Sequence, residues 1–134
     1  MNSKVSRRTL ARVVAEKLIA EPGRTKHWIR AAAAYLVEHN MVQDADLLMN
    51  DVARELFAQD GRLMVHVASA RPLSETIRAE LKTHLRAATN AKHVEMSEAV
   101  DPSLLGGLVA KTPDAELDLS VRRRLRQLAS ITAA

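Results

Sequence analysis

Apolar positions in the first 60 residues recur at helical spacing. From Ser6 to Ala20 they fall at Leu10, Val13, Val14, Leu18 and Ile19, one stripe of an amphipathic helix, while Arg7, Arg8, Arg12 and Lys17 occupy much of the remaining surface. Glu21-Pro22-Gly23 ends this helix. A second helix is predicted from about Thr25 to His39, striped by Trp28, Ile29, Ala32, Ala33, Leu36 and Val37 and closed by Asn40. Its Ala31–Ala34 run joins high helix propensity to small side chains, which lets another helix approach closely. A third helix is predicted from about Asp44 to Gln59, with Ala45, Leu48, Val52, Leu56 and Phe57 on its stripe and Gly61 as its stop.

The period then changes from helical to alternating. Arg62 to Ser69 places Leu63, Val65 and Val67 on one face of a strand. Arg71-Pro72 breaks it. Ser74 is a good N-cap, and Glu75 sits in the first turn, where the helix dipole favours acid. Ile77, Leu81, Leu85 and Ala88 then stripe a helix to about Thr89, and a second strand is expected around Val94 to Met96. Residues 107–111 and 115–119 read as a hairpin around Thr112-Pro113-Asp114. Ser120 caps a last helix with Val121, Leu125 and Leu128 on the side expected to be packed. The reading is an α+β chain, with a short helical domain at residues 1–60 and a strand-helix-strand-hairpin-helix domain at 61–134.

Composition narrows the chemistry. There are 134 residues and no cysteine, which removes thiol catalysis, disulfides and Cys-based metal sites together. One Phe, one Trp and one Tyr are too few for a platform that stacks single-stranded nucleic acid. The net charge is +4 and arginine dominates it, 14 Arg against 6 Lys, which suggests acidic partners. The excess lies mainly in the second half, at +3 against +1. No apolar run approaches the roughly 18 residues of a membrane span, and the basic start lacks the apolar core of a secretory signal, so a soluble cytoplasmic chain is expected.

Candidate sites are few. The histidines 27, 39, 66, 84 and 93 show no i, i+4 pairing with a supporting carboxylate, and the acidic residues are scattered, so no metal site or acid/base pair is expected. Val100-Asp101-Pro102-Ser103-Leu104-Leu105-Gly106-Gly107 lacks the spacing of a phosphate loop and reads as a structural turn entering a strand. Asp118-Leu119-Ser120-Val121-Arg122-Arg123-Arg124-Leu125-Arg126 puts four arginines at a helix start, where cations are poorly placed, with Asp118 partly offsetting them. Such a cluster is either a solvated face or a clamp for acidic groups. The helical half either closes on itself or leaves an apolar groove for a partner helix.

In this order, the strand, Ala70-Arg71-Pro72-Leu73-Ser74, the Asp101–Gly107 turn, the hairpin and the Asp118–Leu125 stretch resemble the carboxyl-terminal domain of the delta subunit of F-type ATP synthases, relatives of the mitochondrial oligomycin-sensitivity-conferring subunit. The family's pattern is an acidic-Pro-Ser-Leu-aliphatic-Gly-Gly turn followed by Asp-Gly-Ser-aliphatic-Arg opening the last helix. Asp101, Pro102, Ser103, Leu105, Gly106, Gly107, Asp118, Ser120 and Arg122 are the residues that match, over about residues 62–131. Leu119 departs, standing where the family usually has Gly, so a looser turn is expected there. Ser6-Arg7-Arg8-Thr9-Leu10-Ala11 loosely matches the start of the family's first helix. The helical half has room for three helices where the family usually has six.

The resemblance implies a non-catalytic stator subunit of the peripheral stalk, peripheral on the cytoplasmic face of the cell membrane, with no cofactor, no nucleic acid and no membrane insertion. It implies that the helical half holds the amino-terminal helices of the alpha subunits, and that the second half holds the ends of the b-type stalk subunits. Arg7, Arg8 and Arg12 are candidates for the first contact, and Arg123 and Arg126 for an acidic partner. The alternative from charge alone is a small basic nucleic-acid-binding module. An enzyme is the reading with least support.

Overall fold

The computed structural model describes residues 5–132. The chain divides into two compact units, Met1–Arg62 and Leu63–Ala134. The first holds α1 (Arg7–Ala20), α2 (Thr25–Glu38) and α3 (Ala45–Asp60), joined through the 3-10 turns Pro22–Arg24 and Val42–Asp44. Ser6 caps α1 by accepting from the Thr9 N–H at 3.2 Å. Asn40 and Gly61 follow α2 and α3 with φ of 54° and 66°, the left-handed turn that stops a helix and that Asn and Gly tolerate best.

α1 packs chiefly against α3. The face α1 buries is Ala11, Val14, Ala15 and Leu18, and α3 buries Leu48, Val52 and Leu56. The expected stripe is therefore rotated: Val13 is exposed, and Ala11 and Ala15 are fully enclosed. Close approach explains this, because two alanines one helical turn apart let the α3 backbone come nearer than Val13 would allow. α2 buries only Ala32 and Leu36, and Val37 stays 66% exposed. Ala33 and Ala34 are open too, so of the small-residue run only Ala32 is buried.

The second unit is built of β1 (Arg62–Ser69), α4 (Glu75–Thr89), β2 (His93–Val100), a 3-10 turn Pro102–Leu104, β3 (Leu108–Lys111), β4 (Glu116–Asp118) and α5 (Val121–Thr132). The sheet order is β2-β1-β3-β4. β3 pairs antiparallel with both β1 and β4. β1 and β2 run the same way: Ser97 Oγ meets His66 Nδ1, and the Asp101 N–H donates to Ser69 O at 2.7 Å, so partners on both segments advance together. A parallel pair needs a crossover, and α4 supplies it.

Leu63, Val65 and Val67 form one core with Leu85 of α4, Ala91, Val94 of β2 and Ala110 of β3. The alternation read from the sequence therefore points at α4. Architecture and element order agree with the expected α+β chain. β2 is longer than expected. Edge position explains it, since β2 can stay extended to Val100 with little buried beyond Val94.

Candidate functional site

The motif residues meet at one end of the second unit. Asp101 caps the 3-10 turn: its Oδ1 accepts from the Ser103 N–H at 3.0 Å and from the Ser103 hydroxyl at 2.6 Å. Asp118 repeats the arrangement seventeen positions on, accepting from the Ser120 N–H at 3.0 Å and its hydroxyl at 2.6 Å. Ser120 Oγ in turn accepts from the Arg123 N–H at 3.1 Å, which caps α5 as expected. Two Asp-x-Ser modules thus set the two turns, because a short acidic side chain can bond the backbone two residues ahead. Leu119, between the second pair, has no positive φ, so the backbone at this position does not call for glycine.

The two turns are locked together. The Val121 N–H donates to Gly106 O at 3.0 Å, the Leu119 N–H to Leu108 O at 2.8 Å, and the Ala70 N–H to Gly107 O at 3.1 Å. Gly107 has φ +74°, and a Cβ there would stand 2.1 Å from Leu119 O. A Cβ on Gly106 would stand 2.7 Å from a Val121 methyl. The glycine pair therefore serves close approach between turn and helix. Pro102 opens the 3-10 turn, where its missing N–H costs nothing. Arg122 reaches across to donate to Ser103 Oγ at 3.1 Å, while its Nε is buried without a partner. Leu104, 1% exposed, and Ser120, fully enclosed, are buried where the 3-10 turn meets α5.

Both aspartates sit below the usual carboxylate range. For Asp101 the main cause is the Ser103 hydroxyl, then the Ser103 N–H, with a smaller pull from Arg122. For Asp118 it is the Ser120 hydroxyl, then the Ser120 N–H, with Arg123 and Arg122 contributing less. A depressed folded-state value stabilises the fold above the unfolded value of about 3.9, and that contribution is lost as pH falls through the folded value. The thermal midpoint of the chain is therefore expected to drop on acidification below about pH 4, and less steeply in Asp118→Ala, which has one such group fewer. Equal acid slopes in the two proteins would contradict this account of Asp118.

The arginines divide into internal and free groups. Arg7 is engaged within the helical unit, where its Nε lies 2.6 Å from Asp51 Oδ2 of α3 as an ion pair. Arg8 and Arg12 are exposed, and Arg8 lines a cavity of about 300 Å³ with Ala11, Asp51, Arg54 and Glu55. Arg123 donates to Asp118 O at 2.9 Å, tying it to the turn, whereas Arg126 is exposed.

The expected packed side of α5 is a correction. Leu125 is 50% and Leu128 60% exposed, so the stripe stands on the surface of the unit. The core that α4 covers is filled without it. Leu105, one of the motif residues, has φ +67° and is 64% exposed, neither of which the motif reading anticipated. A left-handed leucine costs on the order of 1–2 kcal/mol, and residue type alone does not reveal it. Among the described residues, no three His, Asp or Glu side chains could share a metal ion, and no helix is long and apolar enough to cross a membrane.

The comparisons agree with one another. The family model for the ATP synthase delta (OSCP) subunit matches residues 1–131. The ATP synthase subunit delta of Myxococcus xanthus is 32% identical over 131 residues, covering 96% of this chain and 70% of that protein. The same-named protein of Agrobacterium fabrum is 41% identical over 71 residues, 53% of this chain but only 37% of its own length. Several such relatives are matched over well under two thirds of their length. A chain of the Toxoplasma gondii mitochondrial ATP synthase shares the fold, with TM-score 0.61 and 12% identity over 97% of this chain and 72% of that one.

Proposed function

The chain belongs to the ATP synthase delta (OSCP) subunit family, and we propose on that premise that it is a non-catalytic stator subunit of an F-type ATP synthase. In this role it links the catalytic head to the b-type stalk subunits during proton-driven ATP synthesis, as a peripheral protein on the cytoplasmic face of the membrane. Residues 1–60 act as the head-facing domain, holding the amino-terminal helices of the alpha subunits, and residues 61–134 as the stalk-facing domain.

The observation that carries this reading is the family match across both units, residues 1–131. The physical form of the second unit supports it. Its motif residues build a braced turn, with two aspartate caps, two close-approach glycines and the cross-turn contact of Arg122. The turn leaves apolar side chains on the surface instead of enclosing a reactive group. A connector that bears torque needs such a scaffold, since turns held by several hydrogen bonds deform less than open loops.

The reading is tested by deleting the gene and measuring ATP-driven proton pumping in membrane vesicles. Loss of coupling, restored by the full chain, is the expected result. Coupling that survives deletion would overturn the reading, as would failure of the purified chain to bind both an alpha amino-terminal peptide and the b-type end.

A further inference from the structure

α5 is the most one-sided helix of the chain. Its 12 residues, Val121–Thr132, hold four arginines and no acidic residue. At about 100° per residue, Val121, Leu125 and Leu128 fall on one stripe, with Arg124 bordering it on one side and Arg122 on the other, and Arg123 and Arg126 further round. The three apolar side chains are 36%, 50% and 60% exposed.

The helix is fixed at its start. Ser120 caps it, the Val121 N–H donates to Gly106 O at 3.0 Å, and its main packing is on the Pro102–Leu104 turn. Two of the arginines are engaged within the unit, Arg122 on Ser103 Oγ and Arg123 on Asp118 O. The side chains of Arg124 and Arg126 are exposed and make no hydrogen bond or ion pair among the described residues. An open apolar stripe and unpaired positive charge therefore stand on one helix whose first turn is held.

These properties decide among occupants. A second copy of the chain would set α5 against an equally basic α5, and like charges oppose that pairing. Nucleic acid would take the arginines and leave the stripe in water. A partner helix that docks by its apolar face needs a concave site, whereas this stripe stands on the convex outer side of a single helix. A lipid surface with negative headgroups uses both features. The apolar side chains sink to the acyl boundary, and the arginine stems lie along the apolar layer with their guanidinium groups on phosphate. A helix of 12 residues is too short to cross a bilayer, so the contact is interfacial.

We infer that α5 lies in the surface of an anionic lipid bilayer, with Val121, Leu125 and Leu128 facing the acyl chains and Arg124 and Arg126 paired with lipid phosphates. This placement goes beyond the stator reading and does not rest on it, since it concerns the affinity of the chain itself for lipid.

The experiment sediments the full chain with vesicles of phosphatidylcholine alone and of phosphatidylcholine mixed with phosphatidylglycerol. The parent is expected to bind the mixed vesicles, to leave the neutral ones, and to lose most of its binding in high salt. Arg124→Gln combined with Arg126→Gln should weaken binding about twenty-five-fold, at about fivefold per charge. Leu125→Ser combined with Leu128→Ser should weaken it about tenfold or more at unchanged charge. Both double variants alter exposed side chains, so their thermal midpoints should stay within about 2 °C of the parent.

Absent binding, or equal binding to the two kinds of vesicle, overturns the inference. So does undiminished binding by the leucine variant, which reduces the contact to charge alone, and so does early melting of that variant, which places the stripe in the core. Retention on immobilised poly-glutamate but not on the mixed vesicles assigns the face to an acidic protein and overturns the lipid contact. Coupling in the gene deletion is read separately, so either reading can fail while the other stands.

Discussion

Replacing Gly107 by alanine is expected to unfold the second unit at temperatures where the parent is intact. The added Cβ would stand 2.1 Å from the carbonyl oxygen of Leu119, a backbone atom that cannot rotate away. The residue also has φ +74°, so the alanine is strained even before it meets that oxygen. Relief requires moving the Leu119 strand end, which breaks the Leu119 N–H to Leu108 O hydrogen bond and pulls on the Ala70 N–H to Gly107 O bond. Clash, strain and lost hydrogen bonds together place the cost at about 4 kcal/mol or more, in the range reached by few single substitutions. Gly23→Ala is the control. Nothing lies within 4 Å of its Cβ position and its φ is not positive, so it should leave stability unchanged or slightly raised. Thermal unfolding of the two variants checks this, and a Gly107→Ala midpoint within about 2 °C of the parent would refute the close-approach role.

The second large effect is a contrast between two leucines. Leu104→Ala should lower stability by about 3 kcal/mol, because the side chain is 1% exposed where the 3-10 turn meets α5 and its removal leaves a cavity. For a unit of this size that is a fall of roughly 10–20 °C in the midpoint. Leu125→Asp, by contrast, should change stability by no more than about 0.5 kcal/mol, since the side chain is 50% exposed and gains an acidic group on a helix rich in arginine. Read as a helix stripe, Leu125 looks like the core residue and Leu104 like a loop residue. Circular dichroism melts of both variants distinguish the two readings, and equal destabilisation would show that the Leu125 face of α5 is packed after all.

The reason for that reversal is physical. Helical periodicity shows that Val121, Leu125 and Leu128 share a face, but not what lies opposite it. In the second unit, α4 already covers the core of Leu63, Val65 and Val67, so the α5 stripe remains outside. The rotated face of α1 follows the same logic. Val13 and Ala15 both fit a helix, and the closeness of α3 selects the alanine. Arg7 looked like a surface cation because Asp51 is 44 positions away in sequence, and only the packing of α1 on α3 brings them to 2.6 Å.

The sequence by itself determined the three amino-terminal helices, the alternating strand at Leu63–Val67, the Ser74 and Ser120 caps, and the family motif from Asp101 to Gly107. Each of these is written in a local period, a capping side chain or a fixed spacing of residues. The tertiary structure alone decided which stripes are buried, why Gly106 and Gly107 must be glycine, where Arg122 reaches, and that Leu105 is held left-handed. Those facts depend on distances between segments far apart in the chain, and a local pattern carries no information about what another segment brings within 4 Å of it.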